Sequence, residues 1–208
     1  MNISIDNVAF SGLTEEPRDV LEAVAAVSDY VRTRGRAVMS VRVNGAHVAP
    51  DALVETLRSK TAADVATLEI TTEDIKSLVD NALTELEQVL PDLPQVCRRL
   101  AEVFQSEDPD SGYDPFHQLA AIWKTVKERQ IQVASALDID LNSAVVDGKP
   151  IAEHHAELNT LLAEAAEGIQ KGDCVTLGDL LEHELPHRAE MEARIVGMLR
   201  SRAQGGRG

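Results

Sequence analysis

The sequence predicts an α+β fold: a small sheet domain over residues 1–71, an antiparallel helical bundle over residues 72–203, and a short tail at 204–208. Three observations carry this. Strand-type alternation and a hairpin signal are confined to the first third of the chain. From Thr72 onward apolar residues recur three and four apart in one segment after another, the period of amphipathic helices. Aromatic residues are only 3% of the 208 residues, so the cores must be built from Ala, Val, Leu and Ile, which suits closely packed helices.

In the first domain, Ile3, Ile5, Val8 and Phe10 suggest one strand, closed by Gly12. Thr14 is placed to cap a helix with Glu15, Glu16 and Pro17 in its first turn, where acids and proline are tolerated. Val20, Leu21, Val24, Val27 and Val31 form its apolar stripe, and Gly35 suits a left-handed stop. Ala37, Met39, Val41 and Val43 alternate in a second strand. Asn44-Gly45 then signals a tight hairpin, because both turn positions need positive φ. Ala46-His47-Val48 is the return strand. Pro50 opens a brief helix with Leu53, Val54 and Leu57 inward, and Leu68 and Ile70 mark the last strand. The order is βαββαβ, that of a ferredoxin-like split βαβ unit.

The second domain opens with a helix from Thr72 to Leu90, capped by Thr71 or Thr72 and stopped by Pro91. A helix follows with Val96, Leu100, Val103 and Phe104 inward, then a polar loop from Gln105 to Asp114. A long helix from Pro115 carries Phe116, Leu119, Ala120, Trp123, Val126, Val133 and Leu137. Residues 138–149 read as irregular. Pro150 starts another helix, with Ile151, Leu158, Leu161, Leu162, Ala165 and Ile169 inward, which Gly172 ends. Asp173 or Thr176 caps the final segment, with Leu177, Leu180, Leu181, Leu185, Met191, Ile195, Met198 and Leu199 inward.

Charge narrows the function. The formal net charge is −15, which argues against wrapping nucleic acid or lying on an anionic membrane. Residues 1–71 hold 7 basic and 10 acidic residues, so most of the excess belongs to the helical part. Cys97 and Cys174 are far apart and form no metal or disulfide pattern. No basic stretch precedes an apolar run at the N-terminus, and no apolar run reaches membrane-spanning length, so a cytoplasmic protein is expected.

One stretch matches a catalytic pattern. His183-Glu184-Leu185-Pro186-His187 fits H-E-x-x-H, in which two histidines on one helical face hold zinc and the glutamate is the general base. Pro186 opposes this, because it removes a helical hydrogen bond between the two ligands. Glu184-x-x-His187 also fits the Glu-x-x-His pair of di-iron bundles, with Asp114-x-x-His117 as an imperfect second pair and His154 and His155 on a neighbouring helix. Asp138-Ile139-Asp140-Leu141-Asn142 begins like a calcium loop, but Ser143 and Lys149 stand where glycine and a bidentate glutamate are needed. Arg194, Arg200, Arg202 and Arg207 follow the last acid, as the dipole of a helix C-terminus favours.

Without a complete catalytic set, the leading expectation is a non-catalytic protein-interaction module: an adaptor, assembly factor or small chaperone whose partner is another protein and which needs no cofactor. The competing expectation is a metal-dependent enzyme, a hydrolase or di-iron-like, with zinc or iron held around His183, Glu184 and His187.

Overall fold

The computed structural model describes residues 1–13, 17–49, 52–58 and 60–205. The fold is mixed α and β, mostly helical, with a five-stranded sheet. It divides into two compact units, Met1–Leu78 and Val79–Gly208.

In the first unit, the run expected as one strand is a hairpin. Strand β1 (Asn2–Ile5) pairs antiparallel with β2 (Val8–Phe10). Asp6 and Asn7 turn the chain with φ of 50° and 67°, the left-handed pair that a two-residue hairpin loop demands. The sequence carries the sign of it: Ile3 and Ile5 are two apart, but Val8 follows Ile5 by three, so the alternation slips phase at the turn. Helix α1 (Val20–Arg32) begins later than expected. The anticipated cap, Thr14, lies outside the described residues with Glu15 and Glu16, and Pro17 is not helical. Asp19 is the cap, its carboxylate accepting from the Glu22 N–H at 2.8 Å.

Strands β3 (Arg36–Val43) and β4 (Ala46–Val48) form the expected hairpin, with Asn44 and Gly45 at φ of 51° and 79°. Pro50 is outside the described residues; the short helix α2 (Leu53–Arg58) buries Leu57. Strand β5 (Thr67–Asp74) runs past the boundary expected at 71/72, and Thr72 pairs with Val38 instead of capping a helix. The consecutive β-branched residues Ile70, Thr71 and Thr72 favour the strand. Asp74 takes the capping role, its carboxylate accepting from the Ser77 N–H at 2.9 Å.

The strand order is β2-β1-β5-β3-β4, with β1 parallel to β5 and the other neighbours antiparallel. The ferredoxin-like βαββαβ expectation is thus corrected to ββαββαβ. The Asp6-Asn7 turn reverses the chain before α1, which leaves the first and last strands as parallel neighbours. Val20, Val27, Val41, Val43, Leu57, Leu68 and Ile70 belong to the core of this unit. Its edge turn is pinned by Asp6, which accepts from the Thr72 N–H and hydroxyl, both at 2.7 Å, and from Arg36 at 3.1 Å. Those bonds, Thr72's first, hold the Asp6 carboxyl below its ordinary value.

The second unit takes over within helix α3 (Ile75–Val89). A 3₁₀ turn at Leu90–Asp92, containing Pro91, leads into α4 (Leu93–Phe104), and α5 (Tyr113–Ala136) follows. The stretch expected as irregular contains a small hairpin, β6 (Val145–Val146) and β7 (Lys149–Pro150), turned by Asp147 and Gly148 at φ of 49° and 82°. Pro150 caps α6 (Ile151–Lys171), which ends at Gly172 with φ 66°. Asp173 caps α7 (Cys174–Asp179), its carboxylate accepting from the Thr176 N–H at 3.1 Å.

A π-helical turn at Leu180–Glu184 joins α7 to α8 (Leu185–Ala203). Of the expected tail, Gln204 and Gly205 form a turn and residues 206–208 lie outside the described residues. Cys97 is buried, and desolvation pushes its thiol up to about 12, so it acts as a small hydrophobe. Among the described residues no helix is long and apolar enough to cross a membrane.

Candidate functional site

Among the described residues the second unit buries five polar side chains: Gln130, His154, His155, Arg188 and Glu192. They come from the inner faces of α5, α6 and α8. Arg188 is their hub. Its Nε donates to Glu192 Oε1 at 3.1 Å, Nη1 to Glu157 Oε2 at 3.0 Å and Nη2 to the His154 carbonyl at 2.6 Å. A guanidinium that fans its donors over three acceptors is held rigidly in place.

His155 donates from Nε2 to Gln130 Oε1 at 2.8 Å. Burial, then the nearby charges of Lys127 and Arg188, lowers its pKa to about 4, so it is neutral at physiological pH. His154 donates from Nε2 to the Val146 carbonyl at 2.9 Å, which ties α6 to the small hairpin. Its Nδ1 has no hydrogen-bond partner among the described residues and lies 3.9 Å from Glu157 Oε2. Glu192 is fully buried, and desolvation raises its pKa. Its Oε2 and Gln130 Nε2 both lack a hydrogen bond of standard geometry, although the Gln130 amide lies near enough to ease the carboxylate's charge. Orphaned buried polar atoms of this kind are uncommon in native cores and mark a place worth explaining.

Above this cluster opens a cleft of about 470 Å³ between the hairpin, α6 and the start of α8. His154, Glu157 and Leu161 line it from α6, Lys149 from the hairpin, and Glu184, His187, Arg188 and Met191 from the other side. Lys149 pairs with Glu157 and stands 3.7 Å from Glu153. Asp147 pairs with Arg194.

The H-E-x-x-H stretch is thereby divided. Pro186 has no N–H to donate to the preceding turn, and that turn widens: the Leu185 N–H bonds to Leu180 O, five residues back. Such π turns recur near functional sites. Leu185 is fully buried, Glu184 and His187 reach the cleft, and His183 is exposed and outside its lining. His187 Nδ1 stands 3.7 Å from Glu190. The widened turn replaces the regular i, i+4 alignment that the motif presumes. Asp114 and His117 are exposed on α5 and do not join the cleft. Among the described residues no group of three or more His, Cys, Asp and Glu side chains is placed to hold a metal ion.

Reading the sequence missed Gln130, Glu157 and Arg188, and offered Glu192 only as a downstream third ligand for the H-E-x-x-H pattern. Gln130 had a signal: the stripe Trp123, Val126, Val133 lacks a member one turn after Val126, and Gln130 fills that position. Arg188 and Glu192, four apart, interrupt the stripe of Leu185 and Ile195 in the same way.

A second feature is apolar. Between α3 and α5 runs a groove of about 320 Å³, lined by Leu86, Val89, Ala121, Ile122 and Val126. Val89 is 40% and Ile122 37% exposed. At its rim Arg129 and Glu85 stand 3.6 Å apart.

Residues 81–190 match the family model described as "Domain of unknown function (DUF8042)", a span that contains the groove and most of the cleft. The chain is also 23% identical over 188 residues to an "Uncharacterized protein" of Treponema pallidum (strain Nichols), covering 89% of this chain and 90% of that one. No solved structure matches.

Proposed function

The chain belongs to the DUF8042 domain family, and from that premise we propose that it is a non-catalytic protein-interaction module, an adaptor or assembly factor, whose second unit works as an antiparallel helical bundle. The observation that carries this reading is the apolar groove between α3 and α5. Leu86 and Val89 on one wall and Ile122 and Val126 on the other are spaced by a helical turn, so the groove suits an amphipathic partner helix with aliphatic residues one turn apart. Its rim charges, Glu85 and Arg129, already face each other, so the central contact is apolar. The net charge of −15 favours basic residues flanking that helix in the partner.

The test places a photo-crosslinking residue at Ile122 in the full chain, expressed in its source cells, followed by reconstitution with the purified adduct partner. A discrete heterologous adduct that Val89→Asp suppresses, and a reconstituted complex equally sensitive to Val89→Asp, are expected. An adduct with a second copy of the chain, or none beyond that given by a probe at the exposed Val145, overturns the reading.

A second reading is a metal-dependent hydrolase or di-iron-like enzyme using zinc or iron. Glu184 and His187 lining one cleft with the buried His154 favour it. One equivalent of zinc or iron in untagged protein, lost in His187→Ala, is its signature.

A further inference from the structure

The cleft between the small hairpin, α6 and the start of α8 has donors that are spent and acceptors that are not. Lys149 is engaged by Glu157. Arg188 directs its nitrogens to Glu192, Glu157 and the His154 carbonyl. The cations of the cleft are therefore neutralised from within, and an anionic ligand would have to break those pairs.

The acceptors differ. His154 must carry its proton on Nε2, because its partner there is a carbonyl oxygen 2.9 Å away and carbonyls only accept. In the neutral ring Nδ1 is then a lone pair. The residue is 2% exposed, lines the cleft, and that atom has no partner among the described residues. The Glu184 carboxylate lines the cleft opposite and takes part in no hydrogen bond or ion pair among the described residues. Leu161 and Met191 supply apolar wall to the same cleft. An acceptor buried without a donor is destabilising unless something fills it.

We propose that this cleft binds a small primary alkylammonium compound, its N–H groups donated to His154 Nδ1 and Glu184 and its alkyl chain laid on Leu161 and Met191. The ammonium supplies three donors and a positive charge, matching one lone pair and one free carboxylate. The inference is independent of the groove between α3 and α5.

The experiment titrates the full chain with n-butylammonium chloride. Calorimetry reads affinity, and the nitrogen resonances of ¹⁵N-histidine-labelled protein report on the rings. Saturable one-to-one binding that moves the His154 Nδ1 resonance is expected, with 1-butanol and butyrate showing none. Glu184→Gln should weaken binding by about tenfold, the equivalent of one charge-assisted contact of about 1.4 kcal/mol, without lowering the melting temperature. Glu102→Gln, an exposed change on α4, should leave binding unaltered. Absence of saturation, binding of butyrate or butanol with similar affinity, equal weakening by Glu102→Gln, or an unmoved Nδ1 resonance each overturns the proposal.

Discussion

The two units bury polar groups on different terms. In the first, Thr72 is the one buried polar side chain among the described residues, and it is satisfied: its hydroxyl donates to Asp6 and accepts from Arg36 Nε, both at 2.7 Å. In the second, five polar residues are buried among the described ones, and Trp123 Nε1, Gln130 Nε2, His154 Nδ1 and Glu192 Oε2 lack a hydrogen bond of standard geometry there. Burial of a polar group is unfavourable unless its bonds are replaced. The first unit therefore reads as a scaffold whose polar atoms close its own structure. The second maintains a polar interior with atoms left unpaired, and His154 and Arg188 of that interior line the cleft.

The largest effect that separates the units is loss of one member of the buried pair. Arg188→Ala takes from the fully buried Glu192 its countercharge and a hydrogen bond, and should destabilise by about 3–5 kcal/mol. Leu185→Ala and Leu57→Ala, each at a fully buried aliphatic site, should cost about 2–5 kcal/mol from cavity formation. The pair and the aliphatics separate in the double variant Arg188→Met/Glu192→Leu, which should regain most of the loss because an apolar pair needs no desolvation. Urea unfolding of all four variants measures this. A double variant no better than Arg188→Ala would mean that the pair is worth more than its replacement packing.

A second separation is in pH. His155 has a folded pKa of about 4 against 6.5 for the free side chain, so the unfolded chain holds the extra proton between those values. Its contribution is complete above pH 6.5 and is lost as pH falls toward 4, on the order of 3 kcal/mol in all. Glu192 acts in the opposite sense. Its raised pKa gives stability that is complete below 4.5 and lost as pH rises through the folded value. Stability measured from pH 4 to 7 should therefore rise less than His155 alone would give. His155→Leu should remove the rising component whatever constant offset it adds. An unchanged slope in that variant would place the ring in solvent.

Much of the first unit was legible because its turns announce themselves. Asn44-Gly45 was read directly, and so was the left-handed Gly35 after α1. Asp6-Asn7 was not, because neither residue is glycine and the flanking apolar residues look like one strand unless their phase is followed. Thr72 was misread because a β-branched residue before a helix suits both a cap and a strand end. The polar interior was the least legible. A glutamine or arginine within an apolar stripe carries no sign of whether its side chain turns inward, since that is decided by partners on other helices. His183, Glu184 and His187 drew notice together, yet a single wide turn before Pro186 parts His183 from the other two.

Turn geometry gives a third and smaller effect. Gly45 and Gly148 have nearly the same backbone, φ of 79° and 82°, and no heavy atom within 4 Å of an added Cβ. Replacement of either by valine should cost about 1–2 kcal/mol from the left-handed backbone alone. The consequences should differ. Gly45→Val should lower the melting temperature and nothing else. Gly148→Val should also disturb the cleft, because the adjacent hairpin supplies Lys149 and the Val146 carbonyl that holds His154. The His154 Nε2 resonance distinguishes them, and movement in both variants or in neither would remove the link between hairpin and ring.

The smallest effect belongs to the catalytic-looking stretch. His183 is exposed, with no hydrogen bond or ion pair in the described structure, and Glu184 lies at the cleft rim with neither. Neither supports the fold, so His183→Ala and Glu184→Gln should each change stability by less than about 0.5 kcal/mol. That near-silence is informative beside Leu185, one residue further on and fully buried. Three consecutive positions would then divide into surface, cleft rim and core, the division that the wide turn before Pro186 imposes. A loss at His183 as large as that at Leu185 would mean that the helix runs on regularly through this stretch and turns His183 inward.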